Sequence, residues 1–192
     1  KYEINLIIDA THPFAREVSG NVIQVSRELS LEYVRYEREE IDLTIYPQEY
    51  ILPVSSYKAA VKTARSFNKI FLTIGSNNLY YFVEGIENPA SRLIVRILPS
   101  SKYMRKIKKM GLTPDNIVAI KGPFSRELNQ VLLKDYGAEV LVSKASGKTG
   151  GLDTKIKAAV ALGIPVIIIK RPDLDYPRKF QNIESLIKFC SK

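Results

Sequence analysis

The chain has 192 residues, enough for one large or two small domains, and 45% of them are apolar, which suffices for a packed core. Its apolar runs, such as Val166–Ile169, are far shorter than the roughly 20 residues of a membrane span, and its single cysteine, Cys190, excludes an internal disulfide and indicates a reducing cytoplasm. The formal net charge of +9 is compatible with a nucleic acid, with a polyanionic small molecule, or with a basic surface that only keeps the protein soluble.

Strands and helices alternate along the first half of the chain. The apolar residues from Ile4 to Ile8 predict a buried parallel strand that ends at Asp9, and apolar residues at helical spacing predict a helix over 14–29. The segment 37–53 contains charged residues and two prolines, so it is interpreted mostly as loop. The other elements predicted here are a strand over 31–35, a helix over 55–66, a strand over 70–73 and a short helix over 79–83.

The alternation starts again after residues 85–91, whose glycine, asparagine and proline are typical of a linker. We therefore expect two domains, residues 1–88 and 89–192. Strand–helix alternation predicts the α/β class, with parallel sheets and a ligand in a cleft between the domains. The second domain is predicted to contain strands over 93–98, 117–120, 140–142 and 165–169, and helices over 101–110, 126–136, 152–162 and from about 183 onward.

A polar turn follows the first predicted strand. It brings Asp9, Thr11 and His12, the only histidine, to the carboxyl end of a strand, where open α/β sheets bind ligands. Pro13 suits the first helical position and His12 the helix N-cap. The histidine therefore has two alternative kinds of role: helix capping or packing, and proton transfer or ligand contact. For Asp9 two roles are equally open: its side chain binds a ribose or a pyrrole nitrogen, or it caps the same helix.

A glycine-rich turn over 144–151 predicts an anion site. Its three glycines let the backbone approach a ligand closely, and the helix that follows offers free N–H groups and the positive end of its dipole. Lys144, Lys148 and Lys155 add positive charge, although a flexible turn without a ligand is the alternative interpretation. The spacing matches neither a Walker A loop nor a G-x-G-x-x-G fingerprint.

A second polar turn, over 73–78, follows the strand predicted at 70–73. It suits a phosphate or a ribose, but any strand–helix connection uses similar residues. One histidine and one cysteine support neither a metal-ligand cluster nor a Ser-His-acid triad.

Several segments resemble, in order and over essentially the whole chain, the precorrin-6A reductase family of cobalamin biosynthesis. They are Asp9-Ala10-Thr11-His12-Pro13-Phe14-Ala15, Thr73-Ile74-Gly75, Arg96-Ile97-Leu98-Pro99, Gly122-Pro123-Phe124, Lys144-x-Ser146-Gly147-x-x-Gly150-Gly151 with Lys155, and Arg171-Pro172. The resemblance implies two Rossmann-like parallel-sheet domains facing a cleft that holds NADPH and a polycarboxylate corrinoid. It also implies reduction of one ring double bond of precorrin-6A, or of its cobalt form, to precorrin-6B, and the positive charge would attract both ligands.

The resemblance further implies roles for individual residues. His12, or water, would donate a proton in the reaction. The cofactor-binding residues would be Thr73, Gly75, Ser76, Lys144, Ser146, Gly147, Gly150 and Gly151. The substrate-binding residues would be Asp9, Thr11, Gly122, Phe124 and Lys155, and no metal is expected.

Members of this family begin with a strand and a Gly-Gly-Thr turn, which would precede Lys1, so we expect the first domain to be incomplete. We also expect no nucleic-acid or membrane partner, and a monomer or weak dimer. Two alternatives remain: a non-catalytic nucleotide- or nucleic-acid-binding α/β module, and another nucleotide-dependent enzyme on the same fold.

Overall fold

A computed structural model describes residues 4–147 and 150–191. The chain divides into two compact units: the smaller comprises the described parts of 1–40 and 171–192, and the larger comprises 41–170. The domain boundary predicted at residues 88 and 89 differs from this division, because it falls inside the larger unit, between two strands that are neighbours in one sheet.

Parallel strands connected largely by helices confirm the predicted α/β class. The strands are β1 (Leu6–Asp9), β2 (Glu32–Tyr36), β3 (Ile51–Val54), β4 (Ile70–Leu72), β5 (Leu93–Ile97), β6 (Ile117–Ala119), β7 (Val140–Lys144), β8 (Val166–Ile169) and β9 (Lys179–Phe180). The helices are α1 (Arg16–Glu28), α2 (Tyr57–Ala64), α3 (Tyr80–Gly85), α4 (Pro89–Arg92), α5 (Ser101–Lys109), α6 (Arg126–Asp135), α7 (Leu152–Val160) and α8 (Ile183–Cys190). Short 3-10 turns cover Leu43–Ile45, Gln48–Tyr50 and Pro114–Asn116.

The larger unit is built around a six-stranded parallel sheet with the strand order β3-β8-β7-β4-β5-β6. Strands β4 and β8 are buried along their whole length, as continuous apolar segments predict for a parallel sheet that helices cover on both faces. Phe71, Leu141 and Ile168 belong to the hydrophobic core of this unit. Removing this apolar surface from water is the main favourable contribution to folding.

The strands of this sheet are all parallel, but the order in which the chain adds them reverses between β4 and β7. From β4 it proceeds through β5 to β6 at one edge, whereas from β7 it proceeds to β8 on the other side. β4 and β7 are paired, with Ile70 opposite Val140 and Leu72 opposite Val142. The amide and the hydroxyl of Thr73 both donate to the Val142 carbonyl oxygen, at 2.9 and 3.0 Å, and so join the two strand ends. A crevice for ligands is expected at such a switch point.

The smaller unit contains a parallel sheet with the order β1-β2-β9. Arg35 of β2 lies opposite Lys179 of β9, so segments from distant parts of the chain form one sheet. Within the described residues, β1 pairs only with β2, and Ile4 and Ile8 are exposed. The prediction that this apolar run forms a buried strand is therefore wrong for these two side chains, since the structure describes nothing that covers them.

The loop predicted over 37–53 is wrong at its end, where β3 begins at Ile51. This strand lies at the edge of the six-stranded sheet and pairs with β8, Ile51 opposite Val166. Pro53 is compatible with this position, because an edge strand tolerates the loss of one backbone donor. Helix α4 occupies part of the predicted linker, and β9, which the sequence did not predict, is only two residues long.

Asn116 joins the turn before β6 to the start of β5, and we expect its replacement to destabilise the larger unit. The side chain is buried; its Oδ1 accepts from the amide and hydroxyl of Thr113, and its Nδ2 donates to the carbonyls of Ala90 and Leu93. Asn116→Ala leaves these buried groups without partners and should cost about 2 kcal/mol, or about 6 °C in thermal unfolding.

Ser91→Ala is the control for this substitution, because it removes one exposed hydroxyl that donates to the Asn88 carbonyl. Its cost should stay below about 0.5 kcal/mol. Equal losses in the two variants, measured by circular dichroism, would contradict the role assigned to Asn116.

Candidate active site

A cavity of about 290 Å³ opens where β4, β5 and β6 end and α7 begins. Residues that the sequence assigns to cofactor and to substrate line it together: Thr73, Gly75, Gly122, Phe124, Gly150, Gly151 and Lys155. Arg96 and Asn129, for which the sequence predicted no role, also line it. Some residues from each group of predicted site residues therefore share one cavity within the larger unit.

The turn before α7 brings backbone groups close to this cavity. Gly151 is the N-cap of α7 and has a φ of +65°, a left-handed conformation that favours glycine. A Cβ atom on Gly150 would collide with the side chain of Ser146, so this close approach also requires glycine. Because a glycine N-cap offers no capping side chain, the first amides of α7 and the positive end of its dipole suit an anion.

Lys155 lies in the first turns of α7 and is almost completely buried, with 5% of its surface exposed. Its Nζ donates a hydrogen bond to Oγ of Ser143, a fully buried residue of β7, at 3.0 Å. The pKa of Lys155 is lowered to about 7, mainly by burial and further by repulsion from Arg96 and Lys144. Lys155 therefore exchanges its proton near neutral pH, unlike an ordinary lysine.

Arg96 of β5 supplies a second cation on another side of the cavity. Its Nη1 donates to Oδ1 of Asn129 at 2.8 Å, and its guanidinium lies over the ring of Phe124, 4.9 Å from the ring centroid. Burial lowers the pKa of Arg96 to about 10, so the group keeps its charge at neutral pH. The segment that begins with Arg96 contributes to the family resemblance, but the position of the arginine inside a strand gives no separate signal of a ligand site.

These cations are not balanced by acidic groups of the larger unit. In the part of the chain that the structure describes, no carboxylate lies within ion-pair distance of Arg96 or Lys155. Separately, burial lowers the pKa of Lys144. Burying a charge without a counter-ion lowers the stability of the folded state by several kcal/mol, because the charge loses its hydration. The arrangement suits an anionic ligand group, phosphate or carboxylate, that supplies the missing charge.

Other residues with a predicted site role lie outside the lining of this cavity. Ser76 and Ser146 are buried, and neither they nor Lys144 and Gly147 line it. Lys148, which the sequence adds to the positive charge of the turn, lies outside the described residues. Among the residues that are described, no group of three His, Cys, Asp or Glu side chains is arranged to hold a metal ion, and no helix is both long and apolar enough to cross a membrane.

The capping roles predicted for Pro13 and His12, in the turn after β1, are wrong. Helix α1 begins at Arg16 with Ala15 as its N-cap, so Pro13 does not occupy the first helical position and His12 is not the N-cap. The Ala15 amide instead donates to the His12 carbonyl at 2.7 Å, which closes a β-turn with proline at its favoured second position. The His12 ring is exposed, and its Nδ1 accepts from the Phe14 amide at 3.2 Å. Its role as a proton donor stays a prediction.

Asp9 is engaged in a buried network and does not cap α1. Its Oδ1 accepts from Nη1 of Arg35 at 2.7 Å and from the Thr11 amide at 2.9 Å. Its Oδ2 accepts from the Tyr33 hydroxyl at 2.7 Å. Arg35 is fully buried, also donates to the Thr11 carbonyl at 2.9 Å and lies 3.5 Å from Glu37. Arg35, which the sequence did not single out, therefore fixes this turn, while binding roles for Asp9 and Thr11 stay predictions.

The fold and the cavity together define an α/β protein with a cavity that suits an anionic ligand, beside the carboxyl ends of parallel strands at a switch point of the sheet. A family model described as "Precorrin-6x reductase CbiJ/CobK" matches residues 1–191. The chain therefore belongs to the precorrin-6x reductase family. It is an oxidoreductase of cobalamin biosynthesis, and reductases of this kind draw on a nicotinamide cofactor.

Curated relatives support this assignment over most of their length. A cobalt-precorrin-6A reductase of Methanocaldococcus jannaschii is 39% identical over 191 residues, which cover 100% of this chain and 74% of the relative. The protein of the same name from Methanococcus maripaludis is 41% identical, with 97% of this chain and 72% of the relative covered. A solved structure titled "CobK precorrin-6A reductase" has a TM-score of 0.79 at 24% identity, covers 97% and 72% of the two chains, and supports the fold.

Lys155→Met should stabilise the protein at neutral pH, because it removes a buried cation that lacks a counter-ion. The folded-state pKa of Lys155, about 7, lies below the value of an unfolded lysine, 10.5. The penalty is therefore complete below about pH 7 and disappears as the pH rises from there toward 10.5. We expect a gain of about 2 kcal/mol at pH 7 that shrinks by pH 10, measured by urea unfolding.

Lys157→Met is the matched control, since Lys157 lies on the same helix, is exposed and pairs only at the surface with Asp153. Its effect should stay within about 0.5 kcal/mol at every pH. A destabilised Lys155→Met variant at pH 7 would contradict the uncompensated charge.

Asp9→Asn should destabilise the smaller unit, because it leaves the buried Arg35 guanidinium without its closest carboxylate. Burial raises the pKa of the Asp9 carboxyl, but hydrogen bonds from the surrounding hydroxyls and from the Thr11 amide outweigh this effect and lower it to about 2. The stabilisation is thus complete above about pH 4 and is lost as the pH falls through 2.

We expect a loss of about 3 kcal/mol at pH 7 for this variant, measured by thermal unfolding. Glu17→Gln, at an exposed position in the first turn of α1, is the control and should change stability by less than about 0.5 kcal/mol. A neutral Asp9→Asn variant would show that the pairing with Arg35 contributes nothing net.

Proposed function

We propose that this chain catalyses the NADPH-dependent reduction of a ring double bond of precorrin-6A, or of cobalt-precorrin-6A, to the corresponding precorrin-6B. The observation that carries the proposal is the pair of cations in the cavity, the partly buried Arg96 and the buried Lys155, for which the described residues offer no carboxylate. The names of the curated relatives supply the substrate class. Such a substrate and its cofactor are both polyanions, which is the chemistry that these cations require.

The size of the cavity indicates which part of a ligand enters it. A precorrin carries a rim of acetate and propionate carboxylates, and NADPH carries a pyrophosphate and a 2′-phosphate. A volume of about 290 Å³ is at the lower end for pockets that enclose drug-sized ligands. The cavity therefore receives one anionic group, and the remainder of the molecule extends beyond it.

The residues fit a dinucleotide in one respect, because a glycine-rich turn, a helix N-terminus and basic side chains form a phosphate-binding arrangement. NADPH, when bound, supplies the hydride. The chain holds the anionic groups, orients the reacting ring and excludes water. We propose the following division within the larger unit: cofactor contacts from Thr73, Gly75, Gly150 and Gly151, and substrate contacts from Gly122, Phe124 and Lys155. For residues of the smaller unit, substrate binding by Asp9 and Thr11 and proton donation by His12 are separate proposals.

Further expectations accompany this proposal. Cys190 is exposed and forms no disulfide, which is compatible with a reducing cytoplasm. The partner is a polycarboxylate corrinoid and not a nucleic acid, and the working state is a monomer or a weak dimer.

The test is to measure the oxidation of NADPH by the full chain in the presence of precorrin-6A and, separately, of cobalt-precorrin-6A. We expect turnover with at least one of them, and kcat/KM about 100-fold lower for Arg96→Met, because a buried charge contact to the anion is lost. Arg105→Met is the matched control: it removes the same charge from an exposed position on α5, and kcat/KM should change less than about twofold.

Titration with NADPH and with a short DNA duplex separates this function from the binding-module alternative. Saturable NADPH binding with only weak, salt-sensitive duplex binding supports a reductase. Tight duplex binding without any turnover of either corrinoid would refute the proposed function.

A further inference from the structure

A reduction of a double bond by hydride also needs a proton, because two hydrogen atoms are added. The sequence leaves the donor open between His12 and water, and His12 is an exposed residue of the smaller unit. The larger unit contains a different proton-carrying group that is built into the cavity itself, the side-chain ammonium of Lys155.

We propose that Lys155 is the catalytic residue that donates this proton, an inference that rests on the proposed reduction. Its side chain lines the cavity, and its Nζ is held at 3.0 Å from Oγ of the fully buried Ser143. Ser143 is the only hydrogen-bond partner of Nζ among the described residues. Because an ammonium group has three donor hydrogens, one hydrogen bond fixes its position and the other hydrogens can serve a ligand.

The surroundings of Lys155 match its acidity to this task. The charged groups that act on it are Arg96 of β5 and Lys144 of β7. Burial first, and these two cations next, lower the pKa of Lys155 to about 7. General acids work best when their pKa is near the operating pH, because they are then protonated often enough and release the proton readily.

Arg96 complements Lys155, because its charge does not titrate near neutral pH. Burial lowers the pKa of Arg96 only to about 10, and its guanidinium is oriented by Asn129 and by the ring of Phe124. Arg96 can therefore bind an anionic group throughout the reaction, while Lys155 loses and regains its proton.

The proton-transfer step is balanced. Lys155 gives a proton from Nζ to the ring atom next to the carbon that receives the hydride; the N–H bond breaks, and the electron pair of the former double bond forms the new bond to hydrogen. The substrate gains two electrons and two hydrogens, and the nicotinamide reductant of the proposed function is oxidised by two electrons. Lys155 is left as a neutral amine, and a proton from water restores the ammonium.

The first experiment compares pH profiles of NADPH oxidation by the full chain. In the wild-type protein kcat/KM should fall above about pH 7, as Lys155 loses its proton. Lys155→Met should lower kcat about 100-fold or more, a larger effect than the rise in KM that the lost substrate contact causes, and should lack this limb. Lys155→Arg should keep the positive charge but lower kcat as Lys155→Met does and also lack this limb, because arginine does not release its proton in a protein.

Two control variants distinguish proton donation by Lys155 from a general effect of substitution on α7 and from proton donation by His12. Lys157→Met, on the exposed side of the same helix, should retain the wild-type rate and profile. His12→Ala should retain the limb near pH 7. A limb that disappears in His12→Ala and persists in Lys155→Met would overturn the proposal in favour of His12.

A second experiment does not depend on turnover. Carbon-13 NMR of the lysine ε-methylenes in the full chain, with the Lys155 signal identified by its absence in Lys155→Met, should give a titration midpoint near 7. Arg96→Met should raise this midpoint, because it removes a neighbouring cation. A midpoint near the ordinary lysine value, about 10.4, would overturn the donor role even if the wild-type enzyme is active. A folded wild-type chain that oxidises NADPH with neither corrinoid would refute the proposed function, and with it the donor role.

Discussion

The reversal of strand order between β4 and β7 is the constraint on which the functional part of the molecule depends. All six strands of the larger sheet are parallel, so their carboxyl ends meet at one edge. Because the connection after β4 leads to one side of the sheet and the connection after β7 leads to the other, the space beside these two strand ends stays open. Thr73, which donates twice to the Val142 carbonyl, ties the two strand ends together beneath that space. The order of the strands therefore places the glycine-rich turn and the end of β5 beside the same cavity.

The two units treat buried charge in opposite ways. In the smaller unit Arg35 is fully buried, but Asp9 and Glu37 compensate its charge within the protein. In the cavity of the larger unit Lys155 is buried and Arg96 is partly buried, both without a described carboxylate, although apolar residues there would make a more stable sheet edge. The first arrangement fixes a turn. The second has no described counter-charge, which suits the anionic ligand of the proposed function.

Much of the fold could be predicted, because buried parallel strands such as Val166–Ile169 are apolar along their whole length. The edge strand that contains Pro53 could not, since it is short and lacks a periodic pattern. The pairing of β2 with β9 joins segments far apart in the chain and leaves no local signal, so the division into units was also beyond prediction. At the site, the composition of the turn was sufficient to indicate Lys155, whereas Arg96 becomes informative only when its surroundings are seen.

The smaller unit is assembled from two segments that flank the larger one, which has a consequence for biosynthesis. A ribosome adds roughly 5–20 residues per second, so residues 41–170 are made over roughly ten seconds before β9 emerges. During that interval β1, α1 and β2 lack the strand that pairs with β2, and they also lack Arg171, whose Nη1 donates to the Arg38 carbonyl at 2.6 Å. The larger sheet can close while the smaller one is still incomplete. β1 and β2 are thus synthesised before the larger unit but gain the last of their described partners after it.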